Sequence, residues 1–313
     1  QKMKKILITG GAGYIGSKLA TKLLKLNFKV TILDLLKFSG KSLNHLYRDD
    51  NLTFIKGDVR NKNLIKKLLS SNEFIIPLAA LVGAPLCEKK KSEATAVNLD
   101  SIKFLIKNIK KNNKIIYLTT NSGYGVGQKN KYCDEKSPLN PISLYGRTKV
   151  EAEKIIMNYH NSIGFRLATV FGHSYRMRTD LLVNNFVYRS VKFKKLKIFE
   201  PHFRRNYIHI DDVVDGILYS INNFSKLKSE IYNLGLSSAN LTKIMLAKKI
   251  KKQIPSLKIN IIKNVKDPDQ RDYFVSNKKI EKKGFKAKIR IEDGIKELIK
   301  IFKNSKEKIT NNY

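Results

Sequence analysis

Tyr145 and Lys149 stand four residues apart in Tyr145-Gly146-Arg147-Thr148-Lys149, the spacing that puts two side chains on one face of a helix. A phenol with a pKa of about 10 is a poor base at neutral pH, but a neighbouring ammonium favours the phenolate and makes proton transfer at a hydroxyl feasible. The same spacing arises by chance in a lysine-rich chain, where it would be an exposed helix pair. Its setting decides between the two. Upstream, Lys114-Ile115-Ile116-Tyr117-Leu118-Thr119-Thr120-Asn121-Ser122-Gly123-Tyr124-Gly125 reads as a strand that delivers hydroxyls to the carboxyl edge of a sheet, where ligands of open α/β folds bind. Thr120 is the hydroxyl of choice, with Ser122 its competitor and a turn-capping residue on the plainer reading.

A second constellation lies at the start. Thr9-Gly10-Gly11-Ala12-Gly13-Tyr14-Ile15-Gly16 joins a predicted strand to a predicted helix. Gly10, Gly13 and Gly16 allow a tight turn, close approach of backbone to a pyrophosphate, and close helix packing, while the helix start offers free N–H groups. Asp34 ends the next strand, placed to accept hydrogen bonds from an adenosine ribose and to repel a 2′-phosphate, so NAD is favoured over NADP. Lys37 and Lys41 could soften that discrimination. Asp58, in Gly57-Asp58-Val59, ends the third strand, where its carboxylate could reach an adenine amine or serve only the turn.

These residues need a scaffold that alternates strands and helices. Apolar runs at Lys5 to Thr9, Lys29 to Leu33, Leu52 to Ile55, Glu73 to Leu78 and Lys114 to Thr119 read as strands. Helical periodicity covers Ile15 to Leu26, Asn63 to Ser70, Ala94 to Asn112 and Leu144 to His160. The alternation predicts an α/β, Rossmann-type doubly wound parallel sheet. After Arg166 the rhythm is irregular, with a strand-like Arg205 to Ile210, a helix over Asp211 to Asn222 and a strand-like Glu230 to Leu234. The expected organisation is a dinucleotide-binding domain over 1–165, with returning segments near 206–236, and a smaller mixed substrate lobe over most of 166–313.

Composition limits the classes of function. The 313 residues carry a formal charge of +36, yet the basic residues are spread along the chain and Lys outnumbers Arg. That pattern fits solvated surface lysine rather than a nucleic-acid or membrane face, with Lys278 to Lys308 the densest stretch. No run approaches the ~20 apolar residues of a membrane span, and the opening breaks into glycine too early for a secretory signal, so a cytoplasmic protein is expected. Cys87 and Cys133 lack zinc-ligand spacing, and no metal is expected.

The glycine loop, the Thr-rich strand end before Tyr124-Gly125 and the Tyr145/Lys149 pair together resemble the extended short-chain dehydrogenase/reductase family, the NAD-dependent epimerases and dehydratases of nucleotide sugars that include UDP-galactose 4-epimerase. Leu78-Ala79-Ala80 resembles the segment after that family's fourth strand, and Val97-Asn98 its supporting helix asparagine. Arg204-Arg205-Asn206-Tyr207-Ile208-His209-Ile210-Asp211-Asp212 resembles its arginine-led strand, and Asp267-Pro268-Asp269-Gln270-Arg271-Asp272 its diphosphate-contacting loop. The resemblance implies Tyr145 as acid/base on a sugar hydroxyl, Lys149 on the nicotinamide ribose, Thr120 on the reacting oxygen, and Asn98 as support. Tyr14, Ile15, Val59, Leu78, Ala79 and Ala80 join the glycines, Asp34 and Asp58 around NAD. Thr169, Asn185, Arg205 and Arg271 fall to the nucleotide diphosphate sugar, arginine forks being suited to a diphosphate. A homodimer through the helices carrying Asn98 and Tyr145 is also implied.

Two departures refine the expectation. In the related 4,6-dehydratases the threonine is followed by Asp and Glu, which eliminate water; here Asn121 and Ser122 follow Thr120 and cannot replace that acid/base pair. Thr169 stands where UDP-galactose epimerases usually show Asn, which leaves the nucleotide and sugar open. Epimerisation at C4 through a transient keto-sugar leads, followed by a ketoreductase or other oxidoreductase. An NAD-sensing module without turnover would have no need of Thr120, Tyr145 and Lys149. His209 reads as a packed residue.

Overall fold

The run Ile6-Leu7-Ile8 offers no polar side chain to face water, so it belongs to a strand covered on both sides. In the computed structural model, which describes residues 3–38, 40–128, 131–263 and 270–305, all three are fully buried. Successive side chains of a strand point to opposite faces. Accordingly Ile6 and Ile8 join one core with Leu19 and Leu23, while Leu7 joins a second with Leu68, Leu105 and Ile156.

The first half runs β1 (Lys5–Thr9), α1 (Tyr14–Lys25), β2 (Lys29–Asp34), β3 (Leu52–Lys56), α2 (Lys62–Ser71), β4 (Phe74–Pro77), α3 (Ala84–Lys89), α4 (Lys91–Thr95), α5 (Ser101–Asn108), β5 (Lys114–Thr120), β6 (Tyr132–Cys133) and α6 (Leu144–Met157). There follow β7 (Ser162–Leu167), β8 (Thr169–Phe171), α7 (Leu182–Phe193), β9 (Lys195–Ile198), β10 (Arg204–His209), α8 (Ile210–Asn222), α9 (Phe224–Leu227) and β11 (Glu230–Leu234). The remainder comprises β12 (Asn240–Thr242), α10 (Lys243–Gln253), β13 (Lys258–Ile261), β14 (Phe274–Val275), α11 (Lys278–Lys282) and α12 (Ile291–Asn304).

Seven strands form a parallel sheet in the order β11-β7-β5-β4-β1-β2-β3. From β1 the chain steps outward to β2 and β3, then returns to β4 and proceeds the other way. The carboxyl ends of β1 and β4 therefore flank the point of reversal, where open sheets of this type hold ligands. A smaller three-stranded sheet, β12-β10-β8, and two strand pairs, β13-β9 and β14-β6, make up the rest.

Two elements differ from the reading of the sequence. β7 escapes the apolar pattern because Gly164 and Arg166 interrupt it; Arg166 is buried by pairing with Glu153 of α6, Nη2 to Oε1 2.6 Å. The strand-like Arg205 to Ile210 pairs with β8 and β12 rather than with the large sheet, and it is β11 that comes back to the large sheet's edge beside β7. The two regions are tied at the glycine loop: the Tyr14 hydroxyl donates to Gly172 O at 2.7 Å, and Ser174 Oγ donates to Tyr14 O at 2.6 Å. His209 is packed, as expected. Its Nδ1 accepts the Asp211 amide and its Nε2 lies 2.8 Å from Glu297, which engages both ring nitrogens.

Candidate functional site

The turn between β1 and α1 depends on glycine at two positions. Gly10 has φ +73°, and a Cβ there would lie 2.6 Å from Ala79 N; a Cβ on Gly16 would lie 2.5 Å from Gly10 O. With this tight turn in place, the first-turn amides of α1 have no carbonyl one turn earlier to accept them. They open on a cavity at the sheet's reversal point, lined by the glycine loop, Asp34, Asp58, Val59, Leu78, Ala79 and Ala80, and by Tyr145 and Lys149. Every position expected to hold NAD is on that wall.

Asp34 is half-buried. Its Oδ2 accepts from Ala12 N at 2.9 Å and its Oδ1 from Leu36 N at 2.7 Å, so the carboxylate braces the glycine loop as well as facing the cavity. Burial pushes its carboxyl above the ordinary range, against the opposing pull of the two amides. At the other end Thr119, also on the wall, has a buried hydroxyl with no hydrogen-bond partner among the described residues. A glycine-lined cradle, free helix-start amides, an acidic residue at one end and an unsatisfied hydroxyl at the other suit a dinucleotide.

The phenol of Tyr145 is pushed up to about 12 by burial; Cys87 adds to the rise, and the guanidinia of Arg178 and Arg271 oppose it. Lys149, on the same face of α6, is driven down to about 7 by burial, against the favourable charge of Glu153. Its Nζ lies 4.2 Å from the centre of the Tyr117 ring. Both groups are thus displaced toward their neutral forms. Desolvation outweighs the expected help of the ammonium to the phenol, because both side chains leave water together.

Asn98 lies in a wider, π-type turn over Ala96–Asp100, where the sequence suggests an unbroken helix. It is buried, not a surface amide: Oδ1 accepts from Leu81 N at 2.8 Å and Nδ2 donates to Leu81 O at 2.9 Å. The asparagine therefore clasps the segment that follows β4, which forms part of the cavity wall.

The positions assigned to the sugar nucleotide are more dispersed. Thr120 ends β5 half-buried, with Oγ1 2.5 Å from Ser122 Oγ and accepting from Ser122 N. Thr119, its neighbour, faces the cavity instead. Thr169, Asn185 and Arg205 lie off that wall. Asn185 Nδ2 donates to Thr179 O at 2.9 Å. Arg205 is buried, donating to Arg204 O at 2.8 Å and to Arg271 O. Arg271 is close enough to act electrostatically on Tyr145, while residues 267–269 of its loop lie outside the described residues. Besides Arg60, which is paired with Asp58, the wall carries Arg176 and Arg178, which the sequence reading missed. Their one signal is the basic pair in Tyr175-Arg176-Met177-Arg178, easily lost in so basic a chain.

Residues 6–235 match the model of the NAD dependent epimerase/dehydratase family. Among similar proteins, a dTDP-D-glucose 4,6-dehydratase of Dictyostelium discoideum is 29% identical over 79% of this chain and 62% of its own length. A provisionally named UDP-glucose 4-epimerase of Methanocaldococcus jannaschii is 28% identical over 96% of this chain and 99% of that protein. The chain spans about half, 48%, of a trifunctional dehydratase/epimerase/reductase of Arabidopsis thaliana, to which it is 27% identical over 98% of its own residues. The crystal structure of a UDP-glucuronic acid 4-epimerase from Bacillus cereus, with UDP-glucuronic acid and NAD, superposes with TM-score 0.83 at 25% identity, covering 96% of this chain and 99% of that one. Among the described residues no helix is long and apolar enough to cross a membrane. With the glycine cradle, the acidic end of β2 and the Tyr145/Lys149 pair around one cavity, the chain belongs to the NAD-dependent epimerase/dehydratase family of extended short-chain dehydrogenases/reductases, and NAD is its cofactor.

Proposed function

We propose that this protein is a nucleotide-sugar epimerase acting at C4, with Tyr145 as the group that moves the hydroxyl proton. The observation that carries the choice over dehydration is the strand end Thr120-Asn121-Ser122: no carboxylate follows the threonine to abstract a proton from a neighbouring sugar carbon. The acidic side chains on the described cavity wall are Asp34, Asp58 and Glu93, each engaged by backbone amides or by Lys and Arg.

NAD, when bound on the glycine cradle and Asp34, supplies the two-electron oxidation and re-reduction of the sugar carbinol carbon. The chain's own residues supply the rest. Tyr145 gives and takes the proton at the sugar oxygen, and Thr120 hydrogen-bonds that oxygen. Lys149, with its pKa near neutrality, holds the ribose and can take up the phenolic proton as the Tyr145 oxygen receives one from the sugar hydroxyl. Arg271, positioned by the contact of Arg205 with its carbonyl, acts on the diphosphate, as does Arg178 from the wall. The apolar lining, including Leu118 and Leu167, excludes water around the exchange.

The relatives named both as epimerases and as dehydratases support a nucleotide-sugar substrate. A homodimer through the helical segments carrying Asn98 and Tyr145 belongs to the same proposal and is read by light scattering. The test of the reaction is a panel of UDP-, dTDP-, GDP- and CDP-sugars incubated in D₂O, with products read by NMR. An inverted C4 centre, without a 6-deoxy ketone and without deuterium at C5 or C6, is expected. A 4-keto-6-deoxy sugar carrying solvent deuterium would replace the epimerase reading with a dehydratase, and net consumption of reduced cofactor would replace it with a ketoreductase.

A further inference from the structure

Lys37 stands three residues beyond Asp34, at the rim where the adenosine ribose of the cofactor is read. An available ammonium there would attract a 2′-phosphate and work against Asp34. The structure engages it elsewhere. Lys37 Nζ lies 2.5 Å from Glu93 Oε1, and Lys90 Nζ lies 3.5 Å from Oε2 of the same carboxylate. The two clasp partners come from separate segments, the loop after β2 and helix α4, and both line the cavity.

The neighbouring cation is matched in the same way. Arg60 meets Asp58 with Nε at 3.0 Å from Oδ1 and Nη2 at 2.5 Å from Oδ2. Arg176, whose guanidinium lies 5.2 Å from the centre of the Phe38 ring, donates to Met177 O at 2.7 Å. The carboxyls of Glu93 and Asp58 are held below their ordinary range by these bonds, so both remain charged in the clasps. This end of the cavity therefore carries three carboxyl groups, Asp34, Asp58 and Glu93, with Lys37 and Arg60 committed to the latter two. The clasp is partly exposed, 32% and 27% for its two side chains, so it adds little to stability. Its consequence lies in the charge presented to a ligand.

We infer that Glu93 is a specificity-determining residue for the cofactor: by clasping Lys37 it withholds from a 2′-phosphate the cation that stands beside Asp34, and its own charge repels that phosphate. Selection of NAD over its phosphorylated form then rests on two carboxylates from two different elements, Asp34 of β2 and Glu93 of α4.

The test is equilibrium titration of cofactor-stripped protein with NADH and with NADPH, read by nicotinamide fluorescence, which needs no sugar substrate. Glu93→Gln keeps the shape and removes the charge, and Glu93→Ala serves as a second variant. The expected result is a shift in the ratio of the two dissociation constants toward NADPH by about ten-fold at low salt, shrinking as salt screens the exposed charges. Lys37→Met alone should move the ratio against NADPH by much less than Glu93→Gln moves it in favour, because the cation is already held and only the Glu93 charge is bared. The Lys37→Met/Glu93→Gln double variant should lose most of the gain. NADH binding by each variant reports that the cradle is folded. An unchanged ratio in both Glu93 variants would overturn the inference. So would a gain that survives in full in the double variant, or a Lys37→Met ratio moved as far against NADPH as Glu93→Gln moves it in favour.

Discussion

Among the described residues no carboxylate is bonded to the buried ammonium of Lys149, and the fold must bear the cost. In Lys149→Met the ionisable group is replaced by an apolar chain of similar length. The lysine's pKa falls from 10.5 to about 7 on burial, with Glu153 only partly compensating. At about 1.4 kcal/mol per factor of ten in proton affinity, the drop corresponds to about 5 kcal/mol. The sign follows from which state binds more protons. Between pH 7 and 10.5 the unfolded chain keeps this lysine protonated while the folded chain does not, so the contribution of Lys149 to wild-type stability rises with pH across that window. Below about pH 7 both states are protonated and the full penalty applies; above 10.5 neither is, and it vanishes. The methionine variant, stripped of cofactor, should therefore be more stable than wild type by up to about 5 kcal/mol at pH 6, by about 3 kcal/mol at pH 8, and by progressively less toward pH 10. Urea denaturation of both proteins across that range measures the difference, in which all other titrating groups cancel. A difference that stays flat with pH, or a variant less stable than wild type at pH 6, would show that Lys149 is not desolvated as the geometry indicates.

Other variants separate chemistry from support. Tyr145→Phe should lower turnover by about 10³-fold while changing NADH affinity only about two-fold, since general acid–base groups contribute on that scale and the ring still packs; rapid turnover in this variant would remove Tyr145 from its assigned role. Asn98→Ala leaves the buried amide of Leu81 without its acceptor and its carbonyl with the Cys87 thiol alone, and a loss of about 1–3 kcal/mol is expected in urea denaturation. A neutral result there would mean that the wall segment holds itself in place. Arg205→Ala should weaken nucleotide-sugar binding by more than about ten-fold through displacement of Arg271, with a much smaller effect on NADH. Equal losses for both ligands, measured by calorimetry, would contradict that assignment.

The cofactor half of the site was legible because its signals are local. Gly10 and Gly16 are required by backbone approach, Asp34 ends a short apolar strand, and Tyr145 and Lys149 share a helix turn; each can be read within a few residues of sequence. What could not be read depends on distant partners. Lys37 is one lysine among many until Glu93, 56 residues away, is seen to hold it. Arg166 breaks an apolar run and hides β7, because nothing near it in sequence shows that Glu153 will neutralise it in the core. The mutual pKa displacement of Tyr145 and Lys149 depends on the depth at which α6 is packed, which spacing alone does not give. Arg176 and Arg178 reach the cavity only because the loop after β8 is pinned to Tyr14 and Ser17 of α1.

The most direct test of the central claim follows one hydrogen atom. The nucleotide sugar from the panel that turns over is prepared with deuterium at C4 and converted in ordinary water by enzyme carrying substoichiometric NAD. Proton exchange by Tyr145 at the oxygen, with the carbon-bound atom returned to the same carbon, keeps the deuterium at C4 of the epimer and leaves the free cofactor pool unlabelled. Deuterium lost to water, or found in free reduced cofactor, would contradict epimerisation through a retained keto-sugar.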